Sequence, residues 1–177
     1  MEGQRLINYS QLVELLKENL SEYRYTEYDE GIINDIHFVA IIKTPRRWLV
    51  RYLCAIVEIP DTITNASLFE NFFPQVRKSL TSKYAKFPWW KELGTFLVFF
   101  CEDSLYQRLT GIEGDFKDRS GLHMNVILGT CFINNVTFEI STEFTWGLWY
   151  SGRHYRVIRA AVAQWCEVQQ KEPAATR

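Results

Sequence analysis

The stretch over 123–168 constrains the fold most, because it combines a β-hairpin with a helix and each has one apolar side. An apolar run over 124–133 is followed by Asn134-Asn135, and apolar and polar residues then alternate over 136–141. Asn tolerates positive φ better than any residue but Gly, so the Asn pair predicts a tight primed turn. The helix is indicated by apolar residues that recur at the spacing of one helix face, namely Tyr155, Ile158, Val162 and Trp165. We therefore expect the hairpin and the helix to pack together.

Two further segments predict the rest of the sheet. Apolar runs over 36–42 and 48–59 flank a short connector that contains Pro45, which is typical of a second hairpin. A continuous apolar run over 94–101 favours a strand that is covered on both faces and lies centrally. The sequence thus predicts two hairpins that flank one buried strand.

Helical signals separate these strands. Ser10 is the expected cap of a first helix, and Thr64 or Asn65 is the expected cap of a second. Pro74 falls inside the second helix and predicts a kink or a division there. A short helix is expected to begin at Asp103 or Ser104.

The resulting order is α-ββ-α-β-(short α)-ββ-α. It predicts an α+β fold with a mixed or mainly antiparallel sheet of about five strands and three main helices on one or both faces. Residues 1–170 are expected to form a single domain, and 171–177 a flexible C-terminal tail.

Composition favours a globular intracellular protein. The chain has 177 residues, of which 47% are apolar and 23% charged, and such a length can bury about 70% of its unfolded surface without a disulfide or metal. Its four cysteines are widely spaced within apolar segments, which predicts buried free thiols. The sequence begins without a signal-peptide pattern and contains no apolar run of membrane-spanning length. We therefore expect no membrane association and a cytoplasmic location.

Motifs for catalysis are not found in the sequence. There is no G-x-S-x-G, H-x-H, H-E-x-x-H, C-x-x-C or Gly-rich phosphate loop. His37, His123 and His154 each begin a predicted strand or helix, so two imidazoles could meet, with Asp35 or Asp118 as a carboxylate partner. Nothing in their spacing requires a shared site, and satisfied or exposed histidines remain the alternative. The expectation is no catalytic residue, no metal and no cofactor.

An excess of aromatic side chains supports the leading functional hypothesis. Aromatics make up 15% of the chain, more than the core of one small domain is expected to hold. Rings that do not fit the core often lie at partner interfaces. The predicted partner-binding residues lie in two connectors and are Trp89, Trp90, Trp146, Trp149 and Tyr150. They suggest a non-enzymatic binding or oligomerisation module whose partner is another protein or a second copy of the chain.

Basic residues beside aromatic rings support an alternative. Three such clusters occur, around 43–48, 83–91 and 153–159. Positive charge suits phosphate and a ring suits a base, so the alternative is a protein that binds nucleic acid or a nucleotide. Its predicted anion-binding residues are Arg46, Arg47, Trp48, Arg153, His154 and Arg156. This hypothesis requires the clusters to converge on one face, whereas clusters on different surfaces would only make the protein surface polar.

One acid–lysine spacing extends the alternative to an enzyme. Asp115 and Lys117 form a D-x-K pattern that resembles the core of restriction-type nucleases, in which acids hold Mg²⁺ and a lysine polarises the phosphate or water. The resemblance implies a metal-dependent nuclease. The pattern lies in a Gly-containing polar stretch over 111–121 rather than on a predicted strand, so a solvated loop is the competing interpretation.

Overall fold

A mixed sheet with helices on both faces forms the fold. The computed structural model describes residues 7–45, 50–85, 92–110, 125–144 and 151–171, and in these ranges the sheet has six strands whose spatial order follows the chain. The strands are β1 (Glu27–Ile33), β2 (Ile36–Lys43), β3 (Val50–Glu58), β4 (Glu92–Cys101), β5 (Asn125–Asn134) and β6 (Ile140–Phe144). The helices are α1 (Tyr9–Leu20), α2 (Ala66–Tyr84), α3 (Asp103–Thr110) and α4 (Ser151–Lys171), with a 3₁₀ turn over Ser21–Tyr23.

Strand direction reverses three times across this sheet. β1, β2 and β3 form an antiparallel meander, β3, β4 and β5 are parallel, and β5 and β6 are antiparallel. The two parallel connections carry α2 and α3, and crossovers of the same hand in the same direction place both helices on one face. The predicted α+β fold, its two hairpins and its central strand β4 are confirmed, and β1 is an additional edge strand.

Each face of the sheet carries its own apolar core. On the face that we call the α2 face, α2 and α3 cover residues such as Phe38, Leu97, Phe99 and Phe132. On the opposite face, the α4 face, α1 and α4 cover residues such as Ile56, Phe96, Val98 and Phe100. The four predicted apolar residues of the last helix are all buried on the α4 face. The expected packing of that helix on the hairpin is therefore confirmed.

Helix starts follow capping chemistry closely. Asn65 caps α2, as expected, by accepting a hydrogen bond from the backbone N–H of Leu68 at 2.9 Å. The cap of α1 is Asn8 rather than Ser10. The division expected at Pro74 is wrong, because α2 is one helix with Pro74 on its exposed side.

The hairpin between β5 and β6 has a longer turn than the Asn pair predicted. Ile133 pairs with Ile140, so the turn spans the residues between them. The Asn134 side chain accepts from the backbone N–H groups of Val136 and Thr137 at 2.9 and 3.1 Å. This network closes a wide turn, and the two-residue primed turn is wrong.

The cysteines and the apolar character of the helices were both predicted from the sequence. All four cysteines are free and buried, as predicted. Among the helices in the described ranges, none combines the length and the apolar character needed to cross a membrane.

Candidate functional site

Strand direction brings several chemically distinctive residues to one end of the sheet. β3, β4 and β5 begin there, β1 also begins there, and β2 and β6 end there. We call this the N-terminal end of the sheet, after the parallel strands. Three strand ends lie there: β3 begins at Val50, β4 begins at Glu92 and β6 ends at Phe144.

Two cations occupy nearly buried positions on the α2 face of this end. The Lys43 residue is only 7% exposed and Arg51 only 9%. The Arg51 guanidinium donates to the backbone carbonyl of Thr44 at 3.0 Å and forms an ion pair with Glu27. Lysine and arginine are rarely so buried unless they are paired, which indicates that this part of the surface is organised around charge.

Asp29 is where the other members of this arrangement meet. Its Oδ2 atom accepts from Lys83 Nζ at 2.8 Å and from the Tyr84 hydroxyl at 2.7 Å, and Lys43 Nζ lies 3.6 Å away. The three cations also surround one ring, with Lys43, Arg51 and Lys83 at 5.1, 5.6 and 5.4 Å from the centroid of Tyr84. The charged cluster, as we call it, consists of Glu27, Asp29, Lys43, Arg51, Lys83 and Tyr84.

Positive charge exceeds negative charge in this cluster. It holds three cationic side chains and two carboxylates. Burial lowers the pKa of Lys43 and the neighbouring Arg51 adds to this, although Asp29 and Glu27 act in the opposite direction. Burial acts to raise the pKa of Asp29, but hydrogen bonds from Lys83 and Tyr84 and the charge of Lys43 bring it well below its usual range. Asp29 is therefore ionised, and the two carboxylates are outnumbered by the three cations.

Aromatic residues gather on the other face of the same end. His154, in the first turn of α4, has the rings of Tyr23, Tyr52 and Tyr25 at 4.8, 4.7 and 5.5 Å and that of Phe96 at 6.3 Å. The Tyr25 hydroxyl is hydrogen-bonded to His154 Nδ1 at 3.0 Å. We call these five residues the ring cluster.

His154 is electrically neutral in this setting. Burial lowers its pKa to about 4, and the side chains that face it are aromatic. Burial also raises the pKa of Tyr25 well above its ordinary value. The pair is thus a neutral hydrogen-bonded support beneath Tyr23 and Tyr52, which are partly exposed.

The first turns of α4 lie at this end as well. The Tyr155 ring packs directly on the backbone of Gly129, where an added Cβ would come within 2.7 Å of it, and lies 4.9 Å from the ring of Phe144. Arg153 and Arg156 are exposed on these turns, and Arg156 donates to the carbonyl of Gly152 at 3.3 Å. Of the predicted anion-binding residues, the structure places Arg153 and Arg156 at the surface and buries His154.

Several predicted site residues lie outside the described part of the chain. These are the partner-binding residues Trp89, Trp90, Trp146, Trp149 and Tyr150, the anion-binding residues Arg46, Arg47 and Trp48, and the nuclease pair Asp115 and Lys117. The described members of the three basic clusters lie on two opposite faces of the sheet. Lys43 and Lys83 lie on the α2 face, and Arg153 and Arg156 begin α4, all at the N-terminal end. These described members share an end of the sheet but not a face, so the convergence on one face that the alternative required is not observed among them.

The sequence patterns did not identify Glu27 and Asp29 of β1, or Arg51 of β3, as members of the charged cluster. Glu27 and Asp29 sit two residues apart on a strand, so they share a face with each other, and Arg51 interrupts an otherwise apolar strand. A charge at a core-facing strand position requires a partner. The charge of Arg51 within an apolar strand therefore indicates a buried partner. The sequence alone does not show that this partner is Glu27, because the pairing of β1, β2 and β3 is not visible in it.

Metal binding has less support at this end. Among the described residues, no group of three His, Cys, Asp or Glu side chains is arranged to hold a metal ion. The two carboxylates of the charged cluster are already paired with cations. A dication would have to enter a region of positive charge, which Coulomb repulsion opposes.

Comparison of the chain with protein-family models, with curated proteins and with solved structures gave no match.

Proposed function

We propose that the protein binds a phosphate-bearing ligand, nucleic acid or nucleotide, at the N-terminal end of its sheet. The observation that carries the proposal is the charged cluster, in which three cations surround one tyrosine ring and outnumber the carboxylates beside them. Such a site favours an anion over a cation.

Burial explains why an anion would be bound there with useful strength. Charge-assisted hydrogen bonds are about twice as strong as neutral ones, and a partly desolvated site screens them less than open water does. Arg51 is held by Thr44 and Glu27, and this fixes its planar fork before a ligand arrives. Lys83 is partly exposed, with 36% of its side chain accessible, so it can meet a ligand at the surface.

The hypothesis of a protein-interaction module has less support from the described residues. The large apolar side chains that are exposed there include Ile32 on β1, Val136 in the β5–β6 turn and Phe144 at the end of β6. They belong to separate elements, and apolar residues scattered singly over a surface are ordinary. The aromatic connectors on which that hypothesis depends lie outside the described ranges.

Fluorescence anisotropy with a labelled single-stranded oligonucleotide tests the proposal. Lys83→Gln removes the most accessible cation of the cluster, and we expect it to weaken binding about fivefold at low salt. Lys78→Gln is the matched control, because Lys78 is an exposed lysine of the same helix. A nucleoside triphosphate and inorganic pyrophosphate serve as competitors that carry the same phosphate chemistry.

The comparison of the two variants decides the result. Binding that Lys83→Gln weakens and Lys78→Gln leaves unchanged supports the proposed site. Equal affinity of the wild type and both variants would place any binding elsewhere. Absence of binding to the oligonucleotide, together with absence of direct binding of the nucleoside triphosphate and of pyrophosphate by calorimetry, would remove the proposal.

A further inference from the structure

We propose that the ligand is a single-stranded nucleic acid, with its phosphates on the charged cluster and a base stacked on Tyr52 and Tyr23 of the ring cluster. This inference rests on the proposed function, and it adds the class of ligand. It follows from the way in which the two clusters are placed on the sheet.

The two clusters lie on opposite faces of the same strand end. Arg51 and Tyr52 are consecutive residues of β3, so their side chains project to opposite faces. Arg51 belongs to the charged cluster and Tyr52 contacts His154 of the ring cluster. A ligand that uses both clusters must therefore contact both faces of the sheet.

A mononucleotide carries a single base beside its phosphates, whereas the two clusters lie on opposite faces of the sheet. A chain of nucleotides can place phosphates on the α2 face and bases on the α4 face. The duplex is also a poor fit, because its bases are already stacked and paired, whereas rings on a protein surface bind bases that are splayed out.

Tyr23 and Tyr52 are suited to accept a base. Both are partly exposed, and each meets the His154 ring edge to face, at interplanar angles of 67° and 70°. His154 is in turn held by its hydrogen bond to the buried Tyr25. The two outer rings therefore rest on a rigid support, which reduces the entropy lost when a base stacks on them.

Exposed cations continue the path on the α4 face. Arg153 and Arg156 lie in the first turns of α4, next to His154 in sequence. Arginine binds phosphate bidentately and also stacks on bases. Exposed cations are thus present on the α4 face as well as in the charged cluster, and a strand with several phosphates can use both sets.

The test separates the bases from the phosphates. Binding is measured with a base-containing oligonucleotide and with an abasic strand that carries the same number of phosphates. We expect Tyr52→Leu to weaken binding of the base-containing strand about tenfold, the range of one aromatic stacking contact, and to leave the abasic strand unchanged.

A matched control is available on the same face. Tyr9 is also a partly exposed tyrosine on the α4 face, but its ring packs on Phe100 and its hydroxyl donates to Glu58, which ends β3 at the opposite end of the sheet. Tyr9→Leu should leave binding of both strands unchanged. Tyr23→Leu provides a second test because Tyr23 lies in a short surface turn, and circular dichroism verifies that each variant is folded.

The outcomes distinguish this inference from the proposed function. Equal binding of both strands by the wild type, with no effect of Tyr52→Leu or Tyr23→Leu, would overturn the inference while phosphate binding stood. Tighter binding of duplex than of single strand would also overturn it. Failure of both strands and of a nucleoside triphosphate to bind would remove the proposed function itself.

Discussion

At the scale of single residues, Asp29 is the side chain on which the charged cluster depends. Its carboxylate accepts hydrogen bonds from Lys83 and Tyr84 and lies near Lys43. It therefore stabilises the folded chain and at the same time competes with an incoming anion for the same donors. These two roles predict opposite effects of one substitution.

We expect Asp29→Asn to lower stability and raise affinity for a phosphate ligand. Loss of the charge leaves the cations compensated by Glu27 alone, and the free energy of unfolding should fall by about 1–2 kcal/mol. Affinity for the oligonucleotide should rise several-fold, because one repulsive charge has been removed. Urea unfolding and anisotropy titration measure the two effects separately.

Asp35→Asn is the control for this substitution. Asp35 is exposed in the β1–β2 turn at the opposite end of β1, so the same chemical change there is remote from the cluster. Its positive φ of 66° is also one that Asn adopts readily. If Asp29→Asn lowered affinity, the carboxylate would have to be part of the binding site, and the proposed competition would be wrong.

His154 predicts a second measurable effect, which is on stability as a function of pH. Its folded-state pKa of about 4 lies below the ordinary value of 6.5 because burial disfavours the charged form. The unfolded chain therefore binds the proton more readily. Stability contributed by the neutral imidazole is complete above pH 6.5 and falls as the pH is lowered towards 4.

Over this window we expect the wild type to lose on the order of 2 kcal/mol more than His154→Gln does. Glutamine does not titrate, and its amide can still bond to the Tyr25 hydroxyl. Urea unfolding at a series of pH values provides the comparison. Parallel pH profiles for the two proteins would show that His154 is already protonated or solvated in the folded state.

At the scale of elements, the β5–β6 turn depends on one side chain. Asn134 accepts from two backbone N–H groups within the turn and donates to Asp103 Oδ1 at 2.7 Å, which ties the hairpin to the start of α3. Phe138 has a positive φ of 56°, yet it is buried with its ring 5.5 Å from that of Trp165. The turn thus carries a strained residue into the core.

Asn134→Ala should lower the free energy of unfolding by about 2–3 kcal/mol, because it removes the three hydrogen bonds that the buried Asn134 side chain makes. Val136→Ala, a change of an exposed residue in the same turn, should alter it by less than about 0.5 kcal/mol. Urea denaturation of both variants measures the difference. Similar small effects of the two substitutions would mean that the core packing of Phe138 alone maintains the turn.

Much of this architecture follows from local sequence patterns. The apolar run of β4 predicted a strand covered on both faces, and the spacing of Tyr155, Ile158, Val162 and Trp165 predicted the buried side of α4. These signals were sufficient because each depends on periodicity within one segment. The strand β1 was not recognised as a full strand, because Asp29, Glu30 and Gly31 interrupt it and its pairing with β2 contains a register shift at that point.

The candidate site was less predictable for a related reason. Lys43 and Lys83 were noticed as members of basic clusters, but Glu27, Asp29 and Tyr84 join them only through strand register and the position at which α2 ends. Contacts over such separations do not leave a local pattern. His154 was expected at the surface as an anion ligand and is instead buried, because α4 presents it to Tyr25 and Tyr52 on neighbouring strands and turns.

At the scale of the whole molecule, charge distribution matters more than total charge. The formal net charge is −1, so the chain as a whole does not attract polyanions. The proposed binding must therefore come from the N-terminal end of the sheet, where the charged cluster, the ring cluster and the first turns of α4 meet. When one cation of a local site is removed, the slope of log K against log salt concentration should fall by the contribution of one phosphate contact.

The most direct test is the salt dependence of oligonucleotide binding by the wild type, Lys83→Gln and Lys78→Gln. For a single strand, each phosphate contact contributes about 0.7 to the slope of log K against log salt concentration. The account predicts that Lys83→Gln reduces the slope by about that amount and that Lys78→Gln leaves it unchanged. Identical slopes for all three proteins, or affinity that does not depend on salt, would contradict the claim that the charged cluster holds phosphate.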